Sequence, residues 1–215
     1  MLIHYAVPVS LYCAKIRIVL RHKGVNADER PPPGGYGSDA YKTIVPSGNV
    51  PAIIDEGLLI GDSEAITEYL NERYPDPPML PGTIADRAKL RELSRFHDTR
   101  LEPEVRPLFA QVTPATRDPC VVLTQARNIT ARLSHLANLL PQRPGPAETL
   151  TLGDCGFPIT FALIEELDAV LGLGITWPED VRRYFDRIAG LSAVRPELET
   201  YRPAILNWID QKKAS

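Results

Sequence analysis

The sequence predicts an α/β domain at the N-terminus followed by an all-α domain. Short β-rich apolar runs recur before residue 61, and helical patterns lie between and after them. Beyond residue 84 the apolar residues instead recur at spacings of three and four over long stretches. We therefore expect a first domain at residues 1–75, a linker at 76–84 and a helical domain at 85–215.

The first predicted unit is a strand followed by a helix. Residues 2–6 form a short β-like run, and the helical pattern after it ends at Gly24. Ser10 stands at the predicted N-cap, and Cys13 falls in the first turn. The positive end of a helix favours a thiolate, so Cys13 is a candidate reactive thiol.

The segment from residue 25 to residue 45 carries the weakest signal. It predicts a short strand near residues 26–30, a proline- and glycine-rich loop at 31–35 and a short helix near 38–44.

Residues 48–66 predict a strand, a turn, a second strand and the start of a helix. The first backbone N–H groups of a helix lack intrahelical partners and attract a carboxylate. Ser63 adds a hydroxyl there and Asp62 a negative charge, so the pair is able to hold the head group of an α-amino acid. The alternative is that one of the two only caps the helix.

Val50 and Pro51 begin the first of these strands. Proline within a sheet belongs at an edge or a strand start, where backbone groups remain available to a peptide-like ligand. The alternative is an ordinary edge strand, and the spacing alone does not make Pro51 cis.

A proline-rich segment, residues 75–81, ends the helix that begins at Ser63. Two long amphipathic helices are expected after it. Their apolar faces are Leu90, Leu93, His97, Leu101, Val105 and Leu108 in the first, and Val122, Ala126, Ile129, Leu133, Leu136 and Leu140 in the second.

Residues 151–154 have the form of a capping box with Asp154 in place of the usual Glu or Gln, and an apolar helical face follows. We expect Pro158 to bend or locally loosen this helix. Pro178 should open another helix that stops at Gly190, and residues 196–209 should be helical.

The composition narrows the classes of partner. With 24 basic and 27 acidic residues and a net charge of −3, the chain lacks the excess of positive charge that favours binding to nucleic acid or an anionic membrane. No apolar run reaches membrane-spanning length, so we expect a soluble, cytoplasmic protein. The three widely spaced cysteines have neither metal-ligand spacing nor a disulfide framework, and no metal is expected.

Four motifs in this order and separation resemble the cytosolic glutathione transferases, in their bacterial, serine-type form. They are residues 10–17 (SLYCAKIR), 47–53 (SGNVPAI), 62–66 (DSEAI) and 151–154 (TLGD). The resemblance spans nearly the whole chain and implies a thioredoxin-like N-terminal domain followed by an all-helical one. It implies glutathione as co-substrate, a small electrophile as second substrate and a homodimer.

The resemblance also assigns roles to residues. Pro51 should be cis, Val50 should hold the cysteinyl backbone of glutathione, and Asp62 and Ser63 should hold its γ-glutamyl head group. Ser10 matches the serine whose hydroxyl donates a hydrogen bond to the glutathione sulfur. The alternative for Ser10 is a plain N-cap.

Two other residues of the first helix compete with Ser10. Tyr12 lies two residues past the matching position and is expected in the pocket wall. Cys13 would support thiol transferase chemistry through a mixed disulfide, but it stands where the buried partner of a redox pair sits, so a buried, inert Cys13 is favoured.

The resemblance places the second substrate between the domains, against the first long helix. Phe96, His97 and Arg100 are the candidate lining residues there. The alternatives are a core histidine for His97, which lies on the apolar stripe, and a solvated or dimer-interface charge for Arg100.

Three functions are compatible with these residues. The first is conjugation of glutathione to an electrophile. The second is a glutathione-dependent isomerase or dehalogenase at the same site, although the isomerases usually carry a Ser-Ser-Cys run that residues 9–11 lack. The third is a glutathione-binding regulatory protein without catalysis.

Overall fold

The computed structural model describes residues 1–214 and divides the chain into two compact units. The N-terminal unit is Met1–Met79, and the helical unit begins at Leu80. The division falls within the proline-rich segment that the sequence marks as a linker. Within residues 1–214, no helix is both long enough and apolar enough to cross a membrane.

The N-terminal unit is built on a mixed β-sheet. In the described residues the strands follow the order β2-β1-β3-β4, with β1 parallel to β2 and antiparallel to β3, and β3 antiparallel to β4. Three helices connect or follow these strands in the N-terminal unit. Sheet and helices together confirm the predicted thioredoxin-like α/β domain. The elements are β1 (Ile3–Tyr5), α1 (Leu11–Lys23), β2 (Asp28–Arg30), α2 (Asp39–Lys42), β3 (Ala52–Asp55), β4 (Leu58–Ile60) and α3 (Ser63–Arg73).

The two faces of this sheet are buried differently. Tyr5 and Ala52 pack with Tyr41 and Val45 in one apolar cluster. His4 and Ile53 alternate with them along the strands and therefore point to the opposite face, where both are fully buried. A sheet covered on both faces is a firm base for the loops at its ends.

The helical unit confirms the predicted all-α second domain. Residues 84–111 stay helical through α4, a π-helical turn, α5 and a 3₁₀ segment, and the first predicted apolar stripe is buried along its whole length. The elements are α4 (Ile84–Phe96), the π turn (His97–Leu101), α5 (Glu102–Val105), the 3₁₀ segment (Arg106–Gln111), α6 (Pro119–Leu139), α7 (Phe157–Leu171), α8 (Glu179–Ala189) and α9 (Arg195–Lys213).

The predicted bend at Pro158 is absent, and the helical pattern is instead interrupted at residues 155–156, just before this proline. Residues Leu152–Asp154 form a separate 3₁₀ turn, and α7 begins afterwards at Phe157. Pro158 therefore occupies the first turn of α7, where its missing N–H would have had no intrahelical partner.

The capping motif before α7 is present. The Asp154 carboxylate accepts hydrogen bonds from the Thr151 N–H at 2.8 Å and from the Thr151 hydroxyl at 2.7 Å. Asp therefore reaches back as the usual Glu or Gln would.

Candidate functional site

The strand register brings three segments to one edge of the sheet. Tyr5, the last residue of β1, pairs with Ala52, the first residue of β3. Ile60, the last residue of β4, pairs with Ile53. Because both pairings are antiparallel, the end of β1, the start of β3 and the end of β4 lie side by side. We call this edge the strand-end edge.

Each segment at the strand-end edge carries residues that the sequence singles out. The end of β1 leads into the N-terminus of α1, the start of β3 follows a proline turn, and the end of β4 leads into the N-terminus of α3. Two helix N-termini therefore flank one extended segment. The residues are Ser10 at α1, Val50 and Pro51 before β3, and Asp62 and Ser63 at α3.

Ser10 is the N-cap of α1. Its backbone is extended (φ −78°, ψ 122°), and its Oγ accepts a hydrogen bond from the Cys13 N–H at 3.2 Å. This bond uses an oxygen lone pair, whereas a hydroxyl also carries a proton to donate. Capping and donation to a ligand sulfur are therefore compatible roles for Ser10.

Cys13 is fully buried in the first turn of α1. Burial raises the pKa of its thiol, against smaller lowering effects from the Ser10 hydroxyl and the Val7 backbone. A thiol with a raised pKa and no exposure is a poor nucleophile at neutral pH. These features favour the inert role for Cys13.

The Val50–Pro51 peptide bond is cis, as the resemblance implies. The paired register of β3 begins at Ala52, so Val50 precedes the ladder and is half-buried. The contact of Val50 with a ligand backbone stays a prediction.

Asp62, and not Ser63, caps α3. Asp62 Oδ1 accepts hydrogen bonds from the N–H groups of Glu64 at 3.0 Å and Ala65 at 2.9 Å. Ser63 is the first residue of the helix, and its carbonyl accepts from the Thr67 hydroxyl. Since both cap bonds engage Oδ1, Oδ2 of the exposed Asp62 side chain can face a ligand ammonium group.

A buried ion pair joins the two helices that begin at the strand-end edge. Lys15 Nζ of α1 lies 2.6 Å from Glu64 Oε2 of α3, and the two side chains are only 1% and 13% exposed. The pair therefore fixes the first turn of α3 against α1. Sequence reasoning missed it, although a lysine between the buried Ala14 and Ile16 is a signal that could have revealed it.

A second charged network supports the loop before Ser10. Arg17 donates to Glu29 through Nε at 2.6 Å and Nη2 at 3.0 Å, and Nη2 also lies 3.3 Å from the carbonyl of Val7. Burial raises the pKa of Glu29, but the adjacent His4 ring, 3.2 Å away, and the hydrogen bonds from Arg17 outweigh it and bring that pKa to about 2. A charged Glu29 thus holds Arg17 against the backbone that leads to Ser10.

The candidate residues for the second substrate have different environments. Tyr12 is half-buried in the first turn of α1, and Arg100 is exposed. Phe96 is buried and packs edge-on against His135. His97 is buried, with Nδ1 2.7 Å from Asp98 and Nε2 2.7 Å from Thr160, as expected of a core histidine. Substrate contact by Tyr12, Phe96, His97 or Arg100 stays a prediction.

Metal-binding side chains do not cluster in the part of the chain that the structure describes. Within residues 1–214, no group of three or more His, Cys, Asp or Glu residues could hold a metal ion.

Comparison with known proteins adds a family to this geometry. Residues 5–78 match the family model described as glutathione S-transferase, N-terminal domain. A stringent starvation protein A homolog of Pasteurella multocida is 30% identical over 147 residues, which cover 68% of this chain and 66% of that protein. Glutathione S-transferase Z1 of Arabidopsis thaliana is 41% identical over 80 residues, which cover 35% of this chain and 36% of that protein. The chain thus matches less than two thirds of the length of these relatives.

The fold has a wider match than the sequence. The crystal structure of a glutathione S-transferase from Rhodospirillum rubrum F11 superposes with a TM-score of 0.76 at 23% identity, covering 92% of this chain and 91% of that one. The similarity extends through both units.

Proposed function

We propose that the chain, whose residues 5–78 match the N-terminal domain of the glutathione S-transferase family, binds glutathione at the strand-end edge and activates the glutathione thiol through Ser10. The observation that supports the proposal is the register that places the end of β1, the start of β3 and the end of β4 side by side, because the segments that carry Ser10, Val50 and Asp62 adjoin these strand ends. One extended thiol peptide has a partner at each: the sulfur at Ser10, the cysteinyl backbone at Val50, and the γ-glutamyl head group at Asp62 and Ser63.

The chemistry required is stabilisation of a thiolate. An unperturbed thiol titrates near 8.5, so most of it is protonated at pH 7. A hydrogen bond to a charged group contributes about 1.5–3 kcal/mol, which lowers the thiol pKa by about one to two units. Ser10 acts as a hydrogen-bond donor in this scheme and forms no covalent bond. The thiolate sulfur then forms a bond to an electrophilic carbon of the second substrate; with chlorodinitrobenzene, the carbon–chlorine bond breaks and chloride leaves.

The test measures glutathione binding by calorimetry and conjugation of chlorodinitrobenzene. Ser10→Ala should leave binding largely intact, raise the pKa of the bound thiol by one to two units and lower kcat/KM at neutral pH by about 10- to 100-fold. Ser10→Thr should recover part of the loss. Ser63→Ala should weaken binding instead.

Ser38→Ala is the matched control. Ser38 also caps a helix of the N-terminal unit, accepting from the Tyr41 N–H at 3.1 Å. A cap lost there should change stability without moving the bound-thiol pKa. If Ser38→Ala and Ser10→Ala change the pKa of the bound thiol equally, Ser10 serves only as a helix cap. If the wild type binds no glutathione at millimolar concentration, the proposed glutathione-binding function is rejected.

Cys13→Ala separates the conjugation mechanism from thiol transferase chemistry. Activity that disappears in Cys13→Ala but survives in Ser10→Ala would move the reaction to a mixed disulfide at Cys13. The full burial of Cys13 and its raised pKa favour Ser10. An isomerase or dehalogenase would depend on Ser10 in the same way and differ in substrate.

A glutathione-binding regulatory protein is the second candidate. It is favoured by the starvation protein homolog, whose name refers to no transferase reaction and whose match covers 68% of this chain. Under this function, the wild type binds glutathione but shows no turnover that Ser10→Ala can lower. We further propose that the protein is a homodimer; sedimentation as a monomer at micromolar concentration would contradict this.

A further inference from the structure

The turn between β1 and α1 places Ser10 at the N-terminus of the helix. It is a β-turn over residues 7–10, in which the Ser10 N–H donates to the Val7 carbonyl at 3.3 Å. The Ser10 side chain then caps α1 through the Cys13 N–H. Residues 7–10 are half-buried or exposed, so packing alone restrains them weakly. A turn of this kind needs a further restraint if it is to hold a hydroxyl in one orientation.

Arg17 supplies a restraint from about two helical turns further along α1. Its Nη2 donates to the Val7 carbonyl at 3.3 Å, so the guanidinium and the Ser10 N–H share one acceptor. A carbonyl oxygen has two lone pairs and can accept both bonds. The turn is thereby attached to a helix side chain that is only 15% exposed.

Glu29 holds the guanidinium in the orientation that this bond requires. It accepts from Arg17 Nε at 2.6 Å and from Nη2 at 3.0 Å, which is the paired geometry of an arginine fork. Glu29 belongs to β2 and is aligned with His4 in the parallel register of β1 and β2. Arg17 therefore connects the sheet, α1 and the turn before Ser10, and its planar group fixes the directions of these bonds.

The charge of Arg17 acts on the first turn of α1, but Glu29 opposes it. The positive charge of Arg17 lowers the pKa of the Cys13 thiol, whereas the negative charge of Glu29 raises that pKa. A thiolate bound at Ser10 would lie beside the same turn and experience the same opposition. The direct electrostatic effect of Arg17 is therefore reduced, and restraint of the turn remains as its main effect.

We propose that Arg17 is a positioning residue for the hydroxyl of Ser10. By holding the Val7 carbonyl, it keeps Ser10 in the orientation that accepts the cap bond and leaves the hydroxyl proton for a ligand sulfur. Arg17 acts through Ser10 and not on the sulfur itself. This inference rests on the proposed function of Ser10 and adds that thiol activation depends on a network behind the strand-end edge.

Backbone order parameters from NMR relaxation test the restraint in the protein without glutathione. In the wild type, the N–H groups of Val9 and Ser10 should have values near those of rigid backbone, about 0.85. In Arg17→Met, they should fall towards the flexible range, about 0.6, while values in the middle of α1 stay unchanged. Unchanged order parameters at Ser10 would overturn the inference, whether or not the protein binds glutathione.

The pKa of the bound glutathione thiol tests the consequence, followed by the ultraviolet absorbance of the thiolate. Arg17→Met should raise it by about half a unit to one unit, which lowers the thiolate fraction at neutral pH by about three- to tenfold. This is part of the shift expected for Ser10→Ala. Adding Arg17→Met to Ser10→Ala should produce no further shift, because the group through which Arg17 acts is already absent.

Arg17→Lys separates geometry from charge. Lysine keeps the positive charge but lacks the planar fork, so the pKa of the bound thiol should stay close to that of Arg17→Met. Full recovery of the wild-type pKa in Arg17→Lys, or additive shifts in the double variant, would show a direct electrostatic effect and overturn the positioning role. If Arg17→Met fails to fold, Arg17→Lys decides by the same two measurements.

Arg21→Met is the matched control on the same helix. It removes the same charge, but Arg21 is exposed and lies in the last turn of α1. Both the order parameters at Ser10 and the pKa of the bound thiol should equal those of the wild type, and equal effects of the two substitutions would overturn the inference. Absence of glutathione binding in the wild type would reject the proposed function instead, and the order parameters would then decide whether Arg17 restrains Ser10.

Discussion

Replacing Asp154 by Asn should destabilise the helical unit far more than the loss of an ordinary helix cap. The Asp154 side chain is fully buried and accepts from Arg143 Nε at 2.8 Å and from the Tyr184 hydroxyl at 2.8 Å, besides its bonds with Thr151. Asn keeps the volume but removes the charge. Its amide hydrogens would then face groups that are themselves donors.

The expected magnitude follows from the burial of the partner. Arg143 is only 6% exposed, so the substitution leaves a guanidinium buried beside a neutral amide. Removing one partner of a buried ion pair costs about 3–5 kcal/mol. Domains have total stabilities of about 5–15 kcal/mol, so this single change removes a large share.

Asp86→Asn provides the control because the same residue types form the same motif at the surface. Asp86 accepts from the Thr83 N–H and hydroxyl, each at 2.8 Å, at the start of α4, and it is only half-buried. A helix cap contributes about 0.5–2 kcal/mol. The difference between the two variants in the loss of unfolding free energy therefore measures the effect of burial and of the Asp154–Arg143 ion pair.

The assay is urea unfolding followed by circular dichroism at several pH values. Burial raises the pKa of Asp154, but the hydrogen bonds and charge of Arg143 outweigh this and leave that pKa below the ordinary value of 3.8. A lowered carboxyl pKa contributes stability that is fully present above the unfolded-state pKa and is lost as the pH falls below it. Asp154→Asn should lack this acid-sensitive component. Equal destabilisation by the Asp154 and Asp86 variants at pH 7 would refute the reasoning.

Two further predictions concern the supports of the strand-end edge. Lys15→Met should lower the free energy of unfolding by about 3–5 kcal/mol and weaken glutathione binding. Combining it with Glu64→Leu should recover most of that stability in urea unfolding. A double variant whose loss of stability equals the sum of the two single losses would contradict a buried ion pair. Glu29→Gln should remove an acid-sensitive contribution, because the Glu29 pKa of about 2 lies below the ordinary 4.5. The stabilisation by ionised Glu29 is complete above pH 4.5 and is lost between pH 4.5 and 2. The urea midpoints of the wild type and of Glu29→Gln should therefore converge as the pH is lowered. A constant difference between the two midpoints over this range would exclude the stabilisation.

Local patterns were sufficient to predict most elements of the fold. The helix from Ser63, the stop at Gly24 and the stripe from Leu90 to Leu108 depend on caps, backbone conformation and periodicity, which neighbouring residues encode. The separate 3₁₀ turn before α7 is not predicted, because the apolar pattern runs across the break at residues 155–156 without interruption. Periodicity alone does not distinguish a helix with a bend from a turn followed by a helix.

The supporting charges at the candidate site could not be predicted from pattern alone. Lys15 and Glu64 are 49 residues apart, and Arg17 reaches Glu29 on another element and Val7 on a loop. Such pairs depend on the register between β1, β2 and β3 and on the packing of α1 against α3. The sequence contains the charged residues, but their partners follow from the tertiary arrangement.

At the N-termini of α1 and α3, capping and ligand binding do not exclude each other. A cap and a ligand-binding residue looked like alternatives for Ser10 and for the Asp62-Ser63 pair, as though one role excluded the other. The cap bonds use a lone pair of Ser10 Oγ and only Oδ1 of Asp62. A hydroxyl keeps its proton when it accepts, and a carboxylate has a second oxygen. The cap bonds therefore hold each side chain in place at the helix N-terminus while its remaining hydrogen-bonding capacity faces outward. Loss of stability in an alanine variant is then expected under both roles, and only the affinity for glutathione and the pKa of its bound thiol distinguish them.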